Sequence, residues 1–105
     1  KYKHYRPSCE TCLYFENEID KITERYDKEL KSGKVPFILC GSYLQDRFKG
    51  KNLLLLGYSG EEIASNLYDK LLEGEKKADI IIGVGMNRSD GVFLGIMNRL
   101  RKSCI

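Results

Sequence analysis

Apolar residues along the chain follow two different patterns, and the first is typical of strands. Nearly continuous apolar runs of strand length occupy residues 35–40, 53–56 and 79–84, as expected for strands covered on both faces in a parallel sheet. A shorter run at residues 11–15 predicts a first strand, although it is too short to exclude a continued extended segment. Pro36 is expected at the start of a strand or on a sheet edge, because proline cannot donate a ladder hydrogen bond.

The second pattern places apolar residues three and four positions apart and predicts helices between the strand-length apolar runs. The first helix is predicted to follow Asn17 as its cap and to end at Gly33. Residues 42–48 are predicted to form a short helix. Residues 92–102 are predicted to form an amphipathic helix with its basic residues facing out.

The most secure helix prediction begins at Ser59. Ser59 and Glu62 have the spacing of a capping box, and a wide apolar face follows over residues 63–72. Strands and helices therefore alternate with short connections, which favours right-handed crossovers and a parallel sheet between helical layers. The predicted fold is a small Rossmann-like three-layer α/β/α domain with a mainly parallel sheet.

Composition and charge are those of an ordinary globular domain. The chain has 105 residues, of which 42% are hydrophobic and 31% charged, enough for one hydrophobic core and too few for two. The net charge of +3 comes from scattered basic residues, so a nucleic-acid-binding face is not indicated. The chain has no apolar run of membrane-spanning length and no signal peptide, so we expect a cytoplasmic protein that does not bind membranes.

Cys9 and Cys12 form a Cys-x-x-Cys pair, which could ligate zinc or act as a redox dithiol. A structural zinc site needs four ligands, whereas Cys40 and Cys104 stand singly in the sequence. A redox pair needs one thiol at a helix start, whereas this pair precedes a predicted strand. We therefore expect reduced thiols and no metal site.

Gly83 and Gly85 lie at the end of the last predicted strand and before the last predicted helix, where a glycine-rich turn could cradle a phosphate. The spacing does not match the dinucleotide fingerprint, and no P-loop Lys-Ser/Thr is present. A tight turn and close helix packing are the favoured interpretation of Gly91 and Gly95. No nucleophilic triad or pair of catalytic carboxylates stands out, so the sequence predicts no catalytic residue.

Cationic and phenolic donors cluster at the start of the chain around His4, its single histidine. Such donors suit the phosphate or carboxylate groups of a ligand held elsewhere. On the residues alone, a surface linker whose tyrosines pack on the neighbouring fold is the favoured interpretation. The other members of the cluster are Lys1, Tyr2, Lys3, Tyr5 and Arg6.

Three segments resemble one protein family. Residues 1–7, Lys-Tyr-Lys-His-Tyr-Arg-Pro, resemble the Lys-Tyr-x-His-Tyr-x-Pro linker signature of two-domain threonylcarbamoyl-AMP synthases. Residues 64–68, Ala-Ser-Asn-Leu-Tyr, and residues 97–102, Met-Asn-Arg-Leu-Arg-Lys, are similar to segments of that family's C-terminal domain, which usually has Arg where Ser65 stands. The resemblance implies a piece of a longer protein, with an interdomain linker at residues 1–10 and a C-terminal Rossmann-like domain at residues 11–105.

The resemblance also implies what the parent protein does. Such an L-threonylcarbamoyladenylate synthase is a nucleotidyltransferase that condenses L-threonine, bicarbonate and ATP, supplied with Mg²⁺, into threonylcarbamoyl-AMP for the threonylcarbamoyladenosine modification of tRNA. Its ATP and threonine sites belong to an N-terminal YrdC-like catalytic domain, so this chain alone is expected to be inactive and to hold no cofactor. Direct binding of tRNA to this chain is not expected.

In that family the linker folds over the active site as a lid. The resemblance therefore implies that Tyr5, Tyr2, His4 and Lys1 contact ATP or threonylcarbamoyl-AMP, and that the catalytic domain of the same chain is the partner. Two alternatives stay open. One is a free-standing Rossmann-like module that binds a small nucleotide or signal at its strand ends, and the other is an interaction domain that dimerises through a helical face.

Overall fold

Four parallel strands form the centre of the fold in a computed structural model, which describes residues 5–105. In the order in which they lie side by side, the strands are β1 (Glu10–Phe15), β4 (Ile80–Gly85), β2 (Pro36–Cys40) and β3 (Leu53–Leu55). Each neighbouring pair is parallel, as the sequence predicts. A 3₁₀ helix at Ser42–Phe48 confirms the short helix predicted there. The other helices are α1 (Ile19–Lys31), α2 (Gly60–Lys77) and α3 (Val92–Cys104).

Each face of the sheet is covered by its own hydrophobic cluster, which confirms the predicted three-layer α/β/α arrangement. On one face, Ile22 and Tyr26 of α1 and Phe48 of the 3₁₀ helix pack against side chains of β2 and β4. On the other face, α2 and α3 pack against the opposite side of the same strands. Their buried residues include Ile63, Leu67, Leu71, Ile96, Met97 and Leu100.

The connections give the two edges of the sheet different surroundings. From β1 to β3 the chain advances in one direction with α1 and the 3₁₀ helix on one face, and α2 covers the other face on the return to β4. The connection from β3 to β4 runs in the opposite direction across the sheet and on the opposite face, so it has the same handedness as the earlier connections. Because the strands are parallel, they all end on one side of the sheet, which we call the carboxyl edge, and all start on the other, the amino edge. The carboxyl edge carries the loops that follow the four strands. The amino edge carries residues 5–9 and the C-terminal ends of α2 and α3.

The start of α1 differs from the prediction that Asn17 caps it. The N-cap is Glu18, which caps without a side-chain hydrogen bond, and α1 begins at Ile19. Ladder pairing continues past the end of β1, because the Glu16 N–H donates to the Gly85 carbonyl at 3.0 Å. The carboxylate of Glu18 turns back to accept from the Phe15 N–H at 2.9 Å, so a short turn replaces the predicted cap.

The capping box of α2 is confirmed. Ser59 Oγ accepts the Glu62 N–H at 3.1 Å, and the carboxylate of Glu62 accepts the Ser59 N–H at 3.0 Å. Pro36 is the first residue of β2, so it lies at a strand start as predicted. Within residues 5–105, every helix is too short or too polar to cross a membrane.

Candidate functional site

Tyr5 is the candidate lid residue that lies within the described part of the chain. Lys1, Tyr2 and His4 lie outside the described residues. Residues 5–9 run along the amino edge of the sheet, beside the C-terminal halves of α2 and α3, before the chain enters β1 at Glu10. The geometry of the candidate site is therefore set by what holds Tyr5 there.

Three groups hold Tyr5 on the domain. Its hydroxyl donates to the carboxylate of Glu75, and its ring meets the ring of Tyr68 edge to face, with centroids 5.2 Å apart. Its backbone carbonyl accepts the Ser103 hydroxyl at 2.8 Å, and Ser103 is itself buried. Both ends of this residue are thus fixed, the ring by α2 and the backbone by α3.

The periodicity of α2 explains why Tyr68 and Glu75 act together. They are seven residues apart, which is two helical turns, so both side chains leave α2 on the same face. α2 runs from the carboxyl edge towards the amino edge, and its last turns bring this face beside the entry to β1. Ser103 lies in the last turn of α3, at the same edge of the sheet.

Glu75 also fixes the residues that follow Tyr5. The same carboxylate oxygen that accepts the Tyr5 hydroxyl accepts the Ser8 N–H at 2.9 Å. One residue along, the Arg6 guanidinium donates to the Ile105 carbonyl at 2.5 Å. The segment from Tyr5 to Ser8 is therefore bound to α2 by a single carboxylate. It is bound to the end of α3 by two further hydrogen bonds, one at the Tyr5 carbonyl and one from Arg6.

The ionisation states of this cluster favour the observed contacts. The hydrogen bonds from Tyr5 and then from Ser8 hold the pKa of Glu75 below its ordinary value. Burial, followed by the bond to the Glu75 carboxylate, raises the pKa of Tyr5. At neutral pH a protonated phenol thus donates to an ionised carboxylate, which is a charge-assisted hydrogen bond.

At the carboxyl edge, the loop before α2 satisfies its own polar groups. Ser42 Oγ accepts the Gly57 N–H at 2.9 Å, and the Ser42 N–H donates to the Gly57 carbonyl at 2.8 Å. The Glu62 carboxylate accepts the N–H groups of both Tyr58 and Ser59. The backbone N–H groups of Tyr58, Ser59 and Glu62, which lie around the start of this helix, are therefore paired within the chain.

The loop before α3 is also paired within itself. Arg88 makes a two-pronged ion pair with Asp90, at 2.9 and 2.6 Å, and its guanidinium carbon lies 4.1 Å from the centroid of the Phe93 ring. Gly91 has φ near +55°, which fits the predicted tight turn. At both of these carboxyl-edge loops, the side chains of Glu62, Arg88 and Asp90 are thus engaged within the chain.

The predicted packing role of Gly95 is wrong, and Gly85 has that role instead. A Cβ added to Gly95 meets nothing within 4 Å. A Cβ at Gly85 would lie 2.9 Å from carbon atoms of both Met97 and Phe15. The close approach therefore occurs at the end of β4, where the backbone passes beneath α3.

The Cys-x-x-Cys pair does not form one site. Cys9 packs against the hydrophobic cluster on the α2 and α3 side, whereas Cys12 packs against the cluster on the α1 side. Burial raises the pKa of both thiols, and it raises the pKa of Cys40 and Cys104 to about 12. All four thiols are free, and no group of three or more metal-ligating side chains occurs within residues 5–105.

Sequence reasoning missed Glu75, Tyr68 and Ser103. Glu75 lies 70 residues from Tyr5, and Ser103 lies 98 residues from it, so no local pattern could connect them. The one available signal is the seven-residue spacing of Tyr68 and Glu75 on α2. That spacing marks a shared face but does not indicate what covers it.

The two edges of the sheet separate the linker from the carboxyl-edge loops. A six-residue strand such as β1 is about 20 Å long. Tyr5 lies before the start of β1, whereas Arg88 and Gly57 follow the ends of β4 and β3. The linker and those loops therefore cannot surround one small ligand.

Comparison with known proteins identifies the family of the chain. The family model for the C-terminal domain of threonylcarbamoyl-AMP synthase matches residues 1–104. The threonylcarbamoyl-AMP synthase of Pyrococcus abyssi is 34% identical over 109 residues, which cover 98% of this chain and 30% of that protein. The chain thus spans less than a third of the length of this curated relative.

Solved structures agree with this match. Pyrococcus abyssi Sua5 complexed with L-threonine superposes with a TM-score of 0.78 at 32% identity, covering 98% of this chain and 30% of that one. A variant of the same protein, with a consecutive histidine and tyrosine replaced by alanine, has a TM-score of 0.75 at 31% identity, covering 94% and 29%.

The third structure is a C-terminal domain on its own. The C-terminal Sua5 domain of a hypothetical Pyrococcus horikoshii Sua5 protein has a TM-score of 0.71 at 27% identity, over 94% of this chain and 96% of that one. The two chains thus share one fold over nearly their whole lengths. Together with the family-model match over residues 1–104, these relatives show that the chain belongs to the family of threonylcarbamoyl-AMP synthase C-terminal domains.

Proposed function

We propose that this chain is the accessory C-terminal domain of a threonylcarbamoyl-AMP synthase, and that its linker closes over the active site of a preceding catalytic domain. The parent protein would condense L-threonine, bicarbonate and ATP, with Mg²⁺ as the companion of ATP, into threonylcarbamoyl-AMP for the modification of tRNA. The catalytic domain would correspond to the part of the curated relative that this chain does not match. The accessory domain would contribute no catalytic residue of its own.

The position of Tyr5 is the observation that carries this proposal. Tyr5 is held at the amino edge by Glu75 and Ser103, about a strand length from the loops of the carboxyl edge. The distance of Tyr5 from those loops supports a role of the linker towards another domain rather than towards a site within this fold. His4 is followed directly by Tyr5, as a histidine is followed by a tyrosine at the altered positions of the Pyrococcus abyssi variant.

The chemistry of the linker suits the proposed ligands. The phenols of Tyr5 and Tyr2, the imidazole of His4 and the ammonium of Lys1 are all hydrogen-bond donors, and phosphate and carboxylate oxygens are acceptors. A lid that closes over threonylcarbamoyl-AMP would also exclude water from a reactive mixed anhydride. We assign these four residues to binding and closure.

Calorimetric titration with ATP and with threonylcarbamoyl-AMP tests the proposal. We expect no binding to the 105-residue chain and measurable binding to the parent protein. In the parent protein, Tyr5→Ala should weaken binding severalfold, because it removes a donor to an anionic ligand. Tyr43→Ala is the matched control, since Tyr43 is another partly exposed tyrosine whose hydroxyl donates to a carboxylate, that of Glu16, at the carboxyl edge.

The outcome also separates the alternatives. Tight binding of ATP to the 105-residue chain would contradict the lid and favour a free-standing nucleotide module. A loss of binding in Tyr43→Ala with none in Tyr5→Ala would move the ligand to the carboxyl edge. Binding that survives both changes would remove the linker from the ligand site.

A further inference from the structure

We propose that Glu75 is a positioning residue that holds the Tyr5 hydroxyl in the unliganded protein, so that Glu75 and the anionic ligand compete for this one donor. The inference rests on the proposed function, because it concerns the same linker residue. It adds a residue of the accessory domain itself to the control of the lid. Glu75 lies on α2 and outside the linker motif.

The number of hydrogens on the phenol makes the competition obligatory. A tyrosine hydroxyl has a single hydrogen to donate, and in the present structure that hydrogen goes to the Glu75 carboxylate. A phosphate or carboxylate oxygen of the ligand has no hydrogen of its own at neutral pH and needs the same donor. A second anion beside Glu75 would also be repelled by it. Tyr5 can therefore serve Glu75 or the ligand, but not both at once.

The remaining contacts allow the side chain to move without releasing the linker. Ser103 Oγ holds the backbone carbonyl of Tyr5, and Arg6 holds the carbonyl of Ile105, so neither contact involves the phenol. The Tyr5 side chain is only half-buried, with its ring against Tyr68. A change of side-chain rotamer can exchange the hydroxyl between partners while the backbone stays anchored to α3.

The second bond to Glu75 couples this exchange to the backbone of the linker. The Ser8 N–H donates to the same carboxylate oxygen as the Tyr5 hydroxyl. When the ligand takes the hydroxyl, Glu75 keeps Ser8 as a partner and is not left without a donor. The cost of moving Tyr5 is therefore one exchanged hydrogen bond together with the ring contact with Tyr68, and the linker remains attached at Ser8.

The competition predicts that a substitution of Glu75 tightens ligand binding, whereas loss of a residue that merely supports the site would weaken it. Glu75→Gln keeps the shape of the side chain but replaces a charged acceptor by a weaker neutral one. If Glu75 competes with the ligand, this change should tighten the binding of threonylcarbamoyl-AMP to the parent protein by roughly three- to tenfold, because less free energy is needed to release Tyr5. A purely structural role would leave binding unchanged or weaken it.

A double-mutant cycle with Tyr5→Phe isolates the competition from simple electrostatics. Removing the negative charge of Glu75 would by itself reduce the repulsion of an anionic ligand, whether or not Tyr5 contacts that ligand. That part of the gain should persist when the hydroxyl is absent, whereas the competitive part should vanish in the Glu75→Gln, Tyr5→Phe double variant. The control is Glu73→Gln on the same helix, because Glu73 pairs with Lys70 and Lys77, which also belong to α2.

Hydrogen exchange in the 105-residue chain gives a second, ligand-free measurement. The Ser8 amide should exchange several times faster in Glu75→Gln than in the unaltered chain, because its acceptor is weakened. Amides in the core strands, such as those of β4, should exchange at unchanged rates. This comparison detects whether the variant still folds.

The possible results separate the two proposals. A gain in affinity that disappears in the double variant supports the competition. A gain that is equally large with and without the Tyr5 hydroxyl, or a loss of affinity in Glu75→Gln, overturns it. If Tyr5→Phe has no effect on binding even in the Glu75→Gln background, then Tyr5 does not contact the ligand and the proposed function of the linker fails.

Discussion

The helices beneath the linker predict different changes in stability for the same substitution at two glycines. Gly95 lies in the interior of α3 at an exposed position, and a Cβ there meets nothing within 4 Å. Gly74 lies in α2 and is buried, and a Cβ there would lie 2.7 Å from Leu54 Cδ1 and 2.8 Å from Ile81 Cδ1. Alanine therefore gains helix propensity at both positions and meets a packed core at only one.

These distances set the expected magnitudes. Exchanging glycine for alanine inside a helix stabilises by about 1 kcal/mol, and Gly95→Ala should show this whole gain. Gly74→Ala should combine the same gain with an overpacking cost of about 1–3 kcal/mol, because Leu54 and Ile81 are both buried. We expect Gly74→Ala to be less stable than Gly95→Ala by about 1–3 kcal/mol.

Urea unfolding followed by circular dichroism measures the difference. The 105-residue chain has no tryptophan, so the helical signal is the appropriate probe, and equal m-values would show that the two variants unfold comparably. For a domain of this size, 1 kcal/mol corresponds to a melting shift of roughly 4–8 °C. Gly95→Ala that destabilises, or Gly74→Ala that stabilises as much as Gly95→Ala, would refute the packing argument.

Two further predictions concern the helix cap and the acid limb of stability. Ser59→Ala should cost about 1 kcal/mol in urea unfolding, since it removes the hydroxyl of the capping box, and an unchanged midpoint would contradict the cap. The hydrogen bond from Arg25 holds the pKa of buried Glu29 below its ordinary value. Glu29 therefore contributes stability that is present above its unfolded-state pKa, near 4.5, and is lost as the pH falls through its lower folded-state pKa. Glu29→Gln should lower stability at neutral pH and flatten this acid limb, whereas an unchanged pH profile would contradict the assignment.

Much of the fold can be predicted from local sequence because its signals are local. The apolar runs that become β2, β3 and β4 are continuous, since both faces of the sheet are covered. The capping box needs only Ser59 and Glu62, three residues apart. The predicted cap at Asn17 fails because ladder pairing of Glu16 with Gly85 extends β1, and that partner lies 69 positions further along the chain.

The candidate site is less predictable because its contacts are distant in sequence. A family resemblance identifies the linker motif, and the structure adds that Tyr5 is held by Glu75 and Ser103 from two different helices. The prediction of close packing at Gly95 instead of Gly85 is wrong for the same reason, because the contacts of Gly85 come from other elements. Spacing along one helix does not indicate which backbone passes a neighbouring element, and only the assembled layers determine it.

Photoaffinity labelling tests the central claim, that the linker and not the carboxyl edge contacts the ligand of a catalytic domain. The parent protein would be irradiated with an aryl-azide analogue of ATP, with excess ATP as the competitor control, and the labelled peptides would be mapped by mass spectrometry. We expect competed labelling of residues 1–6 and none in the carboxyl-edge loops at residues 57–59 and 86–91. Competed labelling of those loops, with residues 1–6 unlabelled, would contradict the account.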